Sequence, residues 1–221
     1  MRIHVLGSAA GGGFPQWNCG CENCRGVRAG TLKASPRTQE SVAVSADGAA
    51  WFLVNASPEI RQQIESFTGL WPQQPRHSPI AGIILTNGDM DHCLGLLSLR
   101  ESYPLVVYAT ESVRRGFTEG NVLYRTLERF PRQVTWVPLR PGVEQPLLID
   151  GERPSGLAVT AVASPGSSSP CRPRRSSTSL WPSKTGMARS GMANGPMQRG
   201  RRCSRGDDHD RTDAAQSARN A

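Results

Sequence analysis

Three cysteines that could bind a metal lie close together near the start of the chain. Cys19, Cys21 and Cys24 fall within six residues, with Gly20 between the first two and Gly26 two residues after the third. Three thiolates from one tight loop, with one distant ligand, make the closed tetrahedral site that structural zinc prefers, and glycines let the backbone curl around an ion. The spacing predicts a structural zinc site whose fourth ligand is not evident. The alternative is a set of free or redox-active thiols.

A second group of metal-ligating types, Asn87, Asp89, Asp91 and His92, follows the apolar run Ile80–Leu85. Such a run is typical of a strand buried on both faces, and ligands of open α/β sheets gather at the carboxyl ends of strands. Two carboxylates and an imidazole suit zinc, manganese or non-haem iron, and a further histidine would complete a facial triad with open positions. We expect the two aspartates and the histidine to bind an active-site metal, with the asparagine supporting them. The alternative is a solvated acidic loop whose histidine caps a helix.

A glycine-rich segment, Gly7–Gly13, follows the first predicted strand, residues 2–6. Such a turn invites a nucleotide-binding interpretation, but Gln16 stands where the Gly-x-Gly-x-x-Gly pattern needs its last glycine, and no Gly-Lys-Ser/Thr follows. The segment is better explained as a flexible loop that lines the site.

The elements that must position these residues alternate between strands and helices. A helix is expected from Ser57 as N-cap to Gly69, a second from His92 to about Ser102, and short ones after Thr110 and over Val122–Phe130. Further strands are predicted at Ser41–Ala46, Trp51–Val54, Ile80–Leu85, Leu105–Ala109, Val134–Val137, Leu147–Ile149 and Leu157–Ala163. This order predicts a layered α/β fold with both parallel and antiparallel strand pairs.

Charge and apolar content divide the chain of 221 residues near position 163. Residues 1–163 carry 15 basic and 14 acidic side chains, whereas residues 164–221 carry 11 basic and 4 acidic ones. In the second part Leu180 is the only Leu, Ile, Val or Phe. A segment so poor in apolar side chains cannot offset its own ordering entropy, so we expect a basic, low-complexity, disordered tail or the product of a frameshift.

Several classes of protein are excluded or disfavoured by the same composition. No apolar run reaches the ~18 residues of a membrane span, and the N-terminus lacks the apolar region of a signal peptide. We therefore expect a cytoplasmic protein. The arginines of the tail lack interleaved aromatic residues apart from Trp181, so nucleic-acid binding is disfavoured.

Two stretches carry a resemblance to a known family. Thr86 to His92 resembles the metal-binding turn of the metallo-β-lactamase fold, Thr-His-x-His-x-Asp-His, with Asn87 and Asp89 in place of the first two histidines. The segment from Gly7 to Cys19, the two following cysteines, and Leu53-Val54-Asn55-Ala56-Ser57-Pro58 together resemble the coenzyme PQQ synthesis protein B family. The resemblance runs from Met1 to about Ala163.

The resemblance implies an αββα sandwich, of which this chain holds only the N-terminal half, and a role in pyrroloquinoline quinone (PQQ) biosynthesis. Members are regarded as iron-dependent oxygenases that hydroxylate the tyrosine ring of a Glu-Tyr precursor, or as carriers that help PQQ or its precursor towards the periplasm. Asp91 and His92 would be iron(II) ligands and catalytic, with Asp89 a further ligand. The implied partners are a peptide-derived precursor and other PQQ biosynthesis proteins, and a homodimer is compatible with the family.

The third hypothesis is a metallo-hydrolase, such as a phosphodiesterase, of the same fold. Replacing two imidazoles by Asn87 and Asp89 disfavours it, because this exchange shifts the site from two zinc ions towards one harder metal. Members are longer than this chain and carry their remaining metal-binding histidines after position 163, where this chain has only His209. We therefore expect a frameshift product that is inactive as written.

Overall fold

The computed structural model describes residues 1–101, 103–119 and 121–162. The predicted tail over 164–221 lies outside them, so the proposed division at residue 163 stays a prediction. Within the described residues no helix is long and apolar enough to cross a membrane.

Eight strands and four α-helices make up the described chain. The strands are β1 (Arg2–Gly7), β2 (Ser41–Ser45), β3 (Trp51–Val54), β4 (Ile80–Ile84), β5 (Leu105–Thr110), β6 (Val134–Leu139), β7 (Glu144–Ile149) and β8 (Arg153–Thr160). The helices are α1 (Glu22–Arg28), α2 (Ile60–Ser66), α3 (Met90–Cys93) and α4 (Glu111–Glu119). Short 3-10 helices cover Thr68–Leu70, Leu94–Leu99 and Val122–Thr126.

The first six strands form one sheet in chain order, β1-β2-β3-β4-β5-β6. The pairs β1–β2 and β2–β3 are antiparallel, whereas β3–β4, β4–β5 and β5–β6 are parallel. The predicted mixture of parallel and antiparallel pairs is therefore confirmed. Because β3 and β4 run parallel, their carboxyl ends meet at one edge of the sheet, and the loops that follow them come together there.

Each face of the central strands packs against a different layer. Leu53, Ile83 and Val107 belong to a core that contains Ile60 of α2 and Phe117 of α4. Their neighbours along the strands point to the opposite face, because successive strand residues alternate. That second core is formed by Phe52, Ile84, Tyr108, Leu139 and Leu147.

The antiparallel hairpin β7–β8 covers part of the second face. Leu147 of β7 is buried in that core, and the backbone N–H of Leu148 donates to the Tyr108 hydroxyl at 3.0 Å. The described chain therefore has three layers. The central sheet lies between a helical layer on one face and the β7–β8 hairpin on the other.

Two predicted helices differ from those in the structure. The helix expected from His92 to about Ser102 is only the single turn α3 followed by a 3-10 helix. The backbone N–H of Gly95 donates to Ala56 O at 2.9 Å instead of continuing the helix. The segment expected to be helical over Val122–Phe130 is a 3-10 helix that ends at Thr126.

The predicted N-cap of α2 is also wrong. The helix begins at Ile60, three residues after Ser57. The backbone N–H of Ile60 donates to Ser57 O at 3.0 Å, and this bond closes a turn before the helix. The hydroxyl of Ser57 is buried and has no hydrogen-bond partner. The helix ends at Ser66, so Gly69, expected to stop it, lies inside the following 3-10 helix.

Candidate metal centre

The loops after β3 and β4 are joined by one buried asparagine. Asn55, directly after β3, accepts hydrogen bonds with Oδ1 from the backbone N–H of Thr86 at 3.1 Å and from its hydroxyl at 2.9 Å. Asn55 is fully buried and adopts the left-handed conformation, with φ of 64°. Asparagine is among the few residues that tolerate this conformation, because its short polar side chain can hydrogen-bond locally. The contact fixes where the turn that carries the predicted metal ligands begins.

Hydrogen bonds within the turn then orient the predicted ligands. Asn87 Oδ1 accepts from the N–H of Asp89 at 2.9 Å, and its role in supporting the metal ligands stays a prediction. Asp89 precedes α3, and its carbonyl accepts from the N–H of His92 at 3.0 Å. The carbonyl of His92 in turn accepts from the N–H of Ala56 at 2.7 Å. The turn is therefore held both internally and against the end of β3.

The structure brings Asp89, Asp91 and His92 together. One ligand atom from each lies within 4.8 Å of the others, with Asp89 exposed and the other two half-buried. His92 Nδ1 lies 3.2 Å from Asp91 Oδ1, yet this buried nitrogen has no hydrogen-bond partner. A lone nitrogen beside carboxylate oxygens suits a cation, and this donor set fits zinc or iron(II). Metal binding by these residues remains a prediction.

The glycine-rich loop after β1 lies beside this cluster. A Cβ atom added to Gly11 would sit 3.1 Å from Asp91 Oδ2, so a side chain there would crowd the carboxylate. The loop is fixed to the irregular segment that leads into β2, since Ser8 N and Ala9 N both donate to Thr38 O, at 3.1 and 3.0 Å. The structure therefore places the loop along the site, as the sequence suggested.

One residue of the site was missed by the sequence analysis. Glu40, just before β2, has Oε2 at 3.2 Å from His92 Nε2, although 52 positions separate the two residues. No motif or spacing marks this glutamate. The contact depends on the order and direction of the strands. These bring the start of β2 beside the turn that follows β4.

The three N-terminal cysteines form a second cluster. One sulfur from each of Cys19, Cys21 and Cys24 lies within 4.8 Å of the others. Hydrogen bonds from the backbone of Cys24, and then from the thiols of Cys19 and Cys24, lower the pKa of Cys21 from 9.0 to about 7. Thiolates are the form that binds zinc, so this group fits the predicted structural ion. Among the described residues the group holds three ligands, and a fourth from the C-terminal half stays a prediction.

Arg28 stabilises the loop that carries these cysteines. Its guanidinium group donates to Cys19 O at 2.7 Å and also to Gln16 O. Both acceptors lie in the chain just before α1, so the helix that holds Arg28 is tied back to the loop. This fixes the backbone on the side of the first cysteine.

Comparison with known proteins gives the class to which this fold and site belong. The family model described as a beta-lactamase superfamily domain matches residues 50–183, well over half of the chain. The chain therefore belongs to the beta-lactamase superfamily, and the predicted fold is confirmed.

Particular relatives within that superfamily are named Coenzyme PQQ synthesis protein B. The protein from Stutzerimonas stutzeri is 48% identical over 182 residues, covering 79% of this chain and 57% of its own length. The protein from Azotobacter vinelandii is 52% identical over 140 residues, covering 63% of this chain and 46% of its own length. The family resemblance drawn from the motifs is confirmed. The chain spans about half the length of these curated relatives.

A solved structure agrees with this relationship. The crystal structure of Zn(2+)-bound PqqB from Methylobacterium extorquens is 42% identical in sequence, with a TM-score of 0.67. The match covers 75% of this chain and 56% of the crystallised one. That protein binds zinc, so a metal is compatible with the fold.

Proposed function

We propose that this chain acts in PQQ biosynthesis and that the whole protein is an iron-dependent oxygenase which hydroxylates the tyrosine ring of a peptide-derived Glu-Tyr precursor. The observation that carries the proposal is the convergence of Asp89, Asp91 and His92, with ligand atoms within 4.8 Å, at the carboxyl end of the parallel strands. The names of the relatives support the pathway, and the donor types support the metal chemistry.

The donor set favours an oxygenase over a hydrolase of the same fold. Asn87 and Asp89 supply an amide and a carboxylate where the superfamily's two-metal pattern has imidazoles, and oxygen-rich sites suit a single harder metal. An iron(II) ion bound there supplies the redox chemistry with dioxygen that ring hydroxylation requires. Asp91 and His92 would hold the ion, and the cysteine cluster would hold a structural zinc ion.

The remaining residues of the site act by holding these ligands and leaving one side open. Asn55 and Asn87 fix the turn through the hydrogen bonds described above. Gly11 lets the backbone of the first loop approach Asp91 without a side chain in the way. Because Asp89 is exposed, the cluster can be reached by a precursor from that side.

The proposal is tested by loading the purified chain with iron(II) under anaerobic conditions, adding a Glu-Tyr precursor peptide together with ascorbate as the two-electron reductant that reduces the second oxygen atom to water, and pulsing dioxygen. We expect dioxygen uptake that depends on the precursor, and a product heavier by oxygen, from the longer protein from Stutzerimonas stutzeri, whereas this chain by itself should bind iron(II) without turnover. Asp91→Asn and His92→Gln should abolish iron(II) binding by this chain, whereas His77→Gln, in a surface loop, should not.

The protein from Stutzerimonas stutzeri is the parallel control. Turnover by that relative but not by this chain would place residues essential for activity outside this chain. If both proteins bind the metal but neither takes up dioxygen when the precursor is present, the proposal of oxygenase activity is overturned. Tight binding of the quinone, with the mass of the precursor unchanged, would identify a carrier instead.

A further inference from the structure

Met90 stands between two of the predicted metal ligands and is 70% exposed. We propose that Met90 is an oxidation site of this chain: iron held by the predicted ligands directs the transfer of oxygen from hydrogen peroxide to the Met90 sulfur. This sulfur is then oxidised in preference to an equally exposed one elsewhere. The inference rests on the metal site of the proposed function and does not require its oxygenase activity.

The backbone brings the Met90 side chain close to the cluster. Neighbouring α-carbons are about 3.8 Å apart, so Met90 is one such step from Asp89 and one from Asp91. The ligand atoms of the cluster lie within 4.8 Å of one another. In the single turn α3 it is Cys93 that points into the core, whereas Met90 faces solvent. Asp89 is exposed as well, so the solvent that reaches the sulfur also reaches the cluster.

A thioether reacts with peroxide without first losing a proton, and its conversion to the sulfoxide is a common oxidative change in proteins. The sulfur gives two electrons to hydrogen peroxide, the O–O bond breaks, and one oxygen becomes bonded to the sulfur. The other oxygen leaves as water with both peroxide protons. Iron bound beside the sulfur accelerates this step and is not consumed in it. Zinc has no redox chemistry and cannot replace iron in this role.

The other sulfur of the turn is shielded from peroxide. Cys93 is 3% exposed, and its Sγ lies 3.5 Å from Gly88 O. The imidazole of His92 is largely covered and has carboxylate oxygens of Glu40 and Asp91 beside its two nitrogens. Met90 therefore offers the accessible oxidisable atom of the turn.

Met1 is the matched comparison for Met90 within the described residues. It is 81% exposed, so peroxide alone reaches both sulfurs to a similar extent. Arg2 pairs with Ser45, the last residue of β2, whereas the cluster contacts Glu40, just before β2 begins. Met1 thus lies at the far end of the β1–β2 pair. The two methionines differ in their distance from the predicted metal but hardly in exposure.

The experiment treats the purified chain with dilute hydrogen peroxide in the presence of equimolar iron(II), of equimolar zinc, or of no metal. Peptide mass spectrometry then gives the fraction of sulfoxide at Met90 and at Met1. Without metal we expect similar fractions at both positions. Iron(II) should raise the ratio of Met90 to Met1 sulfoxide several-fold, and zinc should not raise it. A ratio that iron(II) leaves unchanged, or that zinc raises equally, would overturn the inference.

Variants of the ligands identify the ion that is responsible. Asp91→Asn and His92→Gln should return the ratio to its metal-free value, whereas His77→Gln should keep the full effect of iron(II). An iron effect that persists in both ligand variants would overturn the inference. Equal thermal unfolding midpoints show that folded chains are compared, and the zinc arm, which uses the unaltered chain, stays decisive if a ligand variant does not fold.

Met90→Leu separates an oxidation site from a metal ligand. Leucine keeps an apolar side chain of similar volume and removes the sulfur. We expect this variant to bind iron(II) as tightly as the unaltered chain in competition with a chelator. Weaker binding would make the thioether itself a ligand and would overturn the role proposed for Met90.

The two proposals fail in different ways. Iron-directed oxidation of Met90, without precursor-dependent dioxygen uptake by the longer relative, would overturn the oxygenase and leave the oxidation site intact. Precursor-dependent uptake with equal oxidation of Met1 and Met90 would do the reverse. An iron(II) affinity unchanged in both Asp91→Asn and His92→Gln would overturn the metal site itself and, with it, the role given to Met90.

Discussion

The side-chain oxygen of Asn55 accepts two hydrogen bonds from Thr86, at 3.1 Å from its N–H and 2.9 Å from its hydroxyl. These bonds join the ends of β3 and β4 immediately before the turn that carries Asp89, Asp91 and His92. Asn55 combines this pairing with a left-handed backbone, so one residue serves both the turn geometry and the link between loops.

Asn55→Gly and Asn55→Ala should therefore differ. Both variants lose the two hydrogen bonds to Thr86, an exposed residue, and each lost bond costs about 0.5–1.5 kcal/mol. Alanine at a φ of 64° adds backbone strain that glycine avoids. We expect the free energy of unfolding, measured in urea, to be highest for the unaltered chain, lower for Asn55→Gly and lowest for Asn55→Ala. Equal stability of the two variants would contradict the role of the backbone conformation.

Gly11→Ala should weaken metal binding with little loss of stability. Its new Cβ atom would lie 3.1 Å from Asp91 Oδ2, so the carboxylate must shift by a few tenths of an ångström. We expect a several-fold weaker affinity for iron(II) in chelator competition. Gly116→Ala, on α4 with no atom within 4 Å of the new Cβ, is the control and should bind normally. Normal affinity in Gly11→Ala would contradict the prediction and show that the glycine-rich loop moves instead of the Asp91 carboxylate.

The strands were predictable from the sequence because burial on one or both faces leaves a local pattern. Trp51–Val54 was predicted with the same bounds, and β4 ends one residue before the predicted Leu85. Helix ends were harder, because tertiary contacts decide them. The stretch from His92 has helical periodicity, but the N–H of Gly95 is taken by Ala56 O, on another loop.

The site follows the same division between local and long-range information. Asp89, Asp91 and His92 lie within four residues, so their spacing alone predicts that they meet. Glu40 is 52 residues from His92, and Asn55 is 31 residues from Thr86. Both contacts depend on which strands become neighbours, and no local pattern encodes that order.

Asp47 should stabilise the β2–β3 hairpin in a pH-dependent way. Its carboxylate accepts from Ala49 N at 2.8 Å, Ala50 N at 3.1 Å and Ser45 Oγ at 3.1 Å. The two backbone N–H groups, chiefly that of Ala49, hold the pKa of Asp47 below its ordinary value of 3.8. Asp47→Ala should cost about 1 kcal/mol at neutral pH, the usual effect of losing such a turn or cap.

The sign of the pH effect follows from the lowered pKa. The contribution of an ionised carboxylate is present above its pKa in the unfolded chain and is lost as pH falls through the lower pKa of the folded state. The stability gap between the unaltered chain and Asp47→Ala should therefore be constant near neutral pH and shrink below about pH 4. Urea unfolding across this range checks it, with Glu128→Ala, an exposed carboxylate elsewhere, as control. A gap that widens in acid would contradict the prediction.

The thiol of Cys21 should be the first to react when the chain is freed of metal. Its pKa of about 7, lowered first by the backbone of Cys24, leaves much of it as thiolate at neutral pH, and its side chain is exposed. Burial raises the pKa of Cys93 to about 11, with help from Asp89 and Asp91, so that thiol should stay unreactive in the folded chain.

Alkylation by iodoacetamide, followed by peptide mass spectrometry, measures both thiols across pH. The rate at Cys21 should be half-maximal at about pH 7, because only the thiolate attacks. Adding zinc before the reagent should protect Cys19, Cys21 and Cys24 together, since one ion would occupy all three sulfurs. Cys21→Ser should remove the fast phase and weaken the protection of the other two. A single slow phase in the metal-free chain, or zinc that protects Cys21 alone, would contradict the shared site.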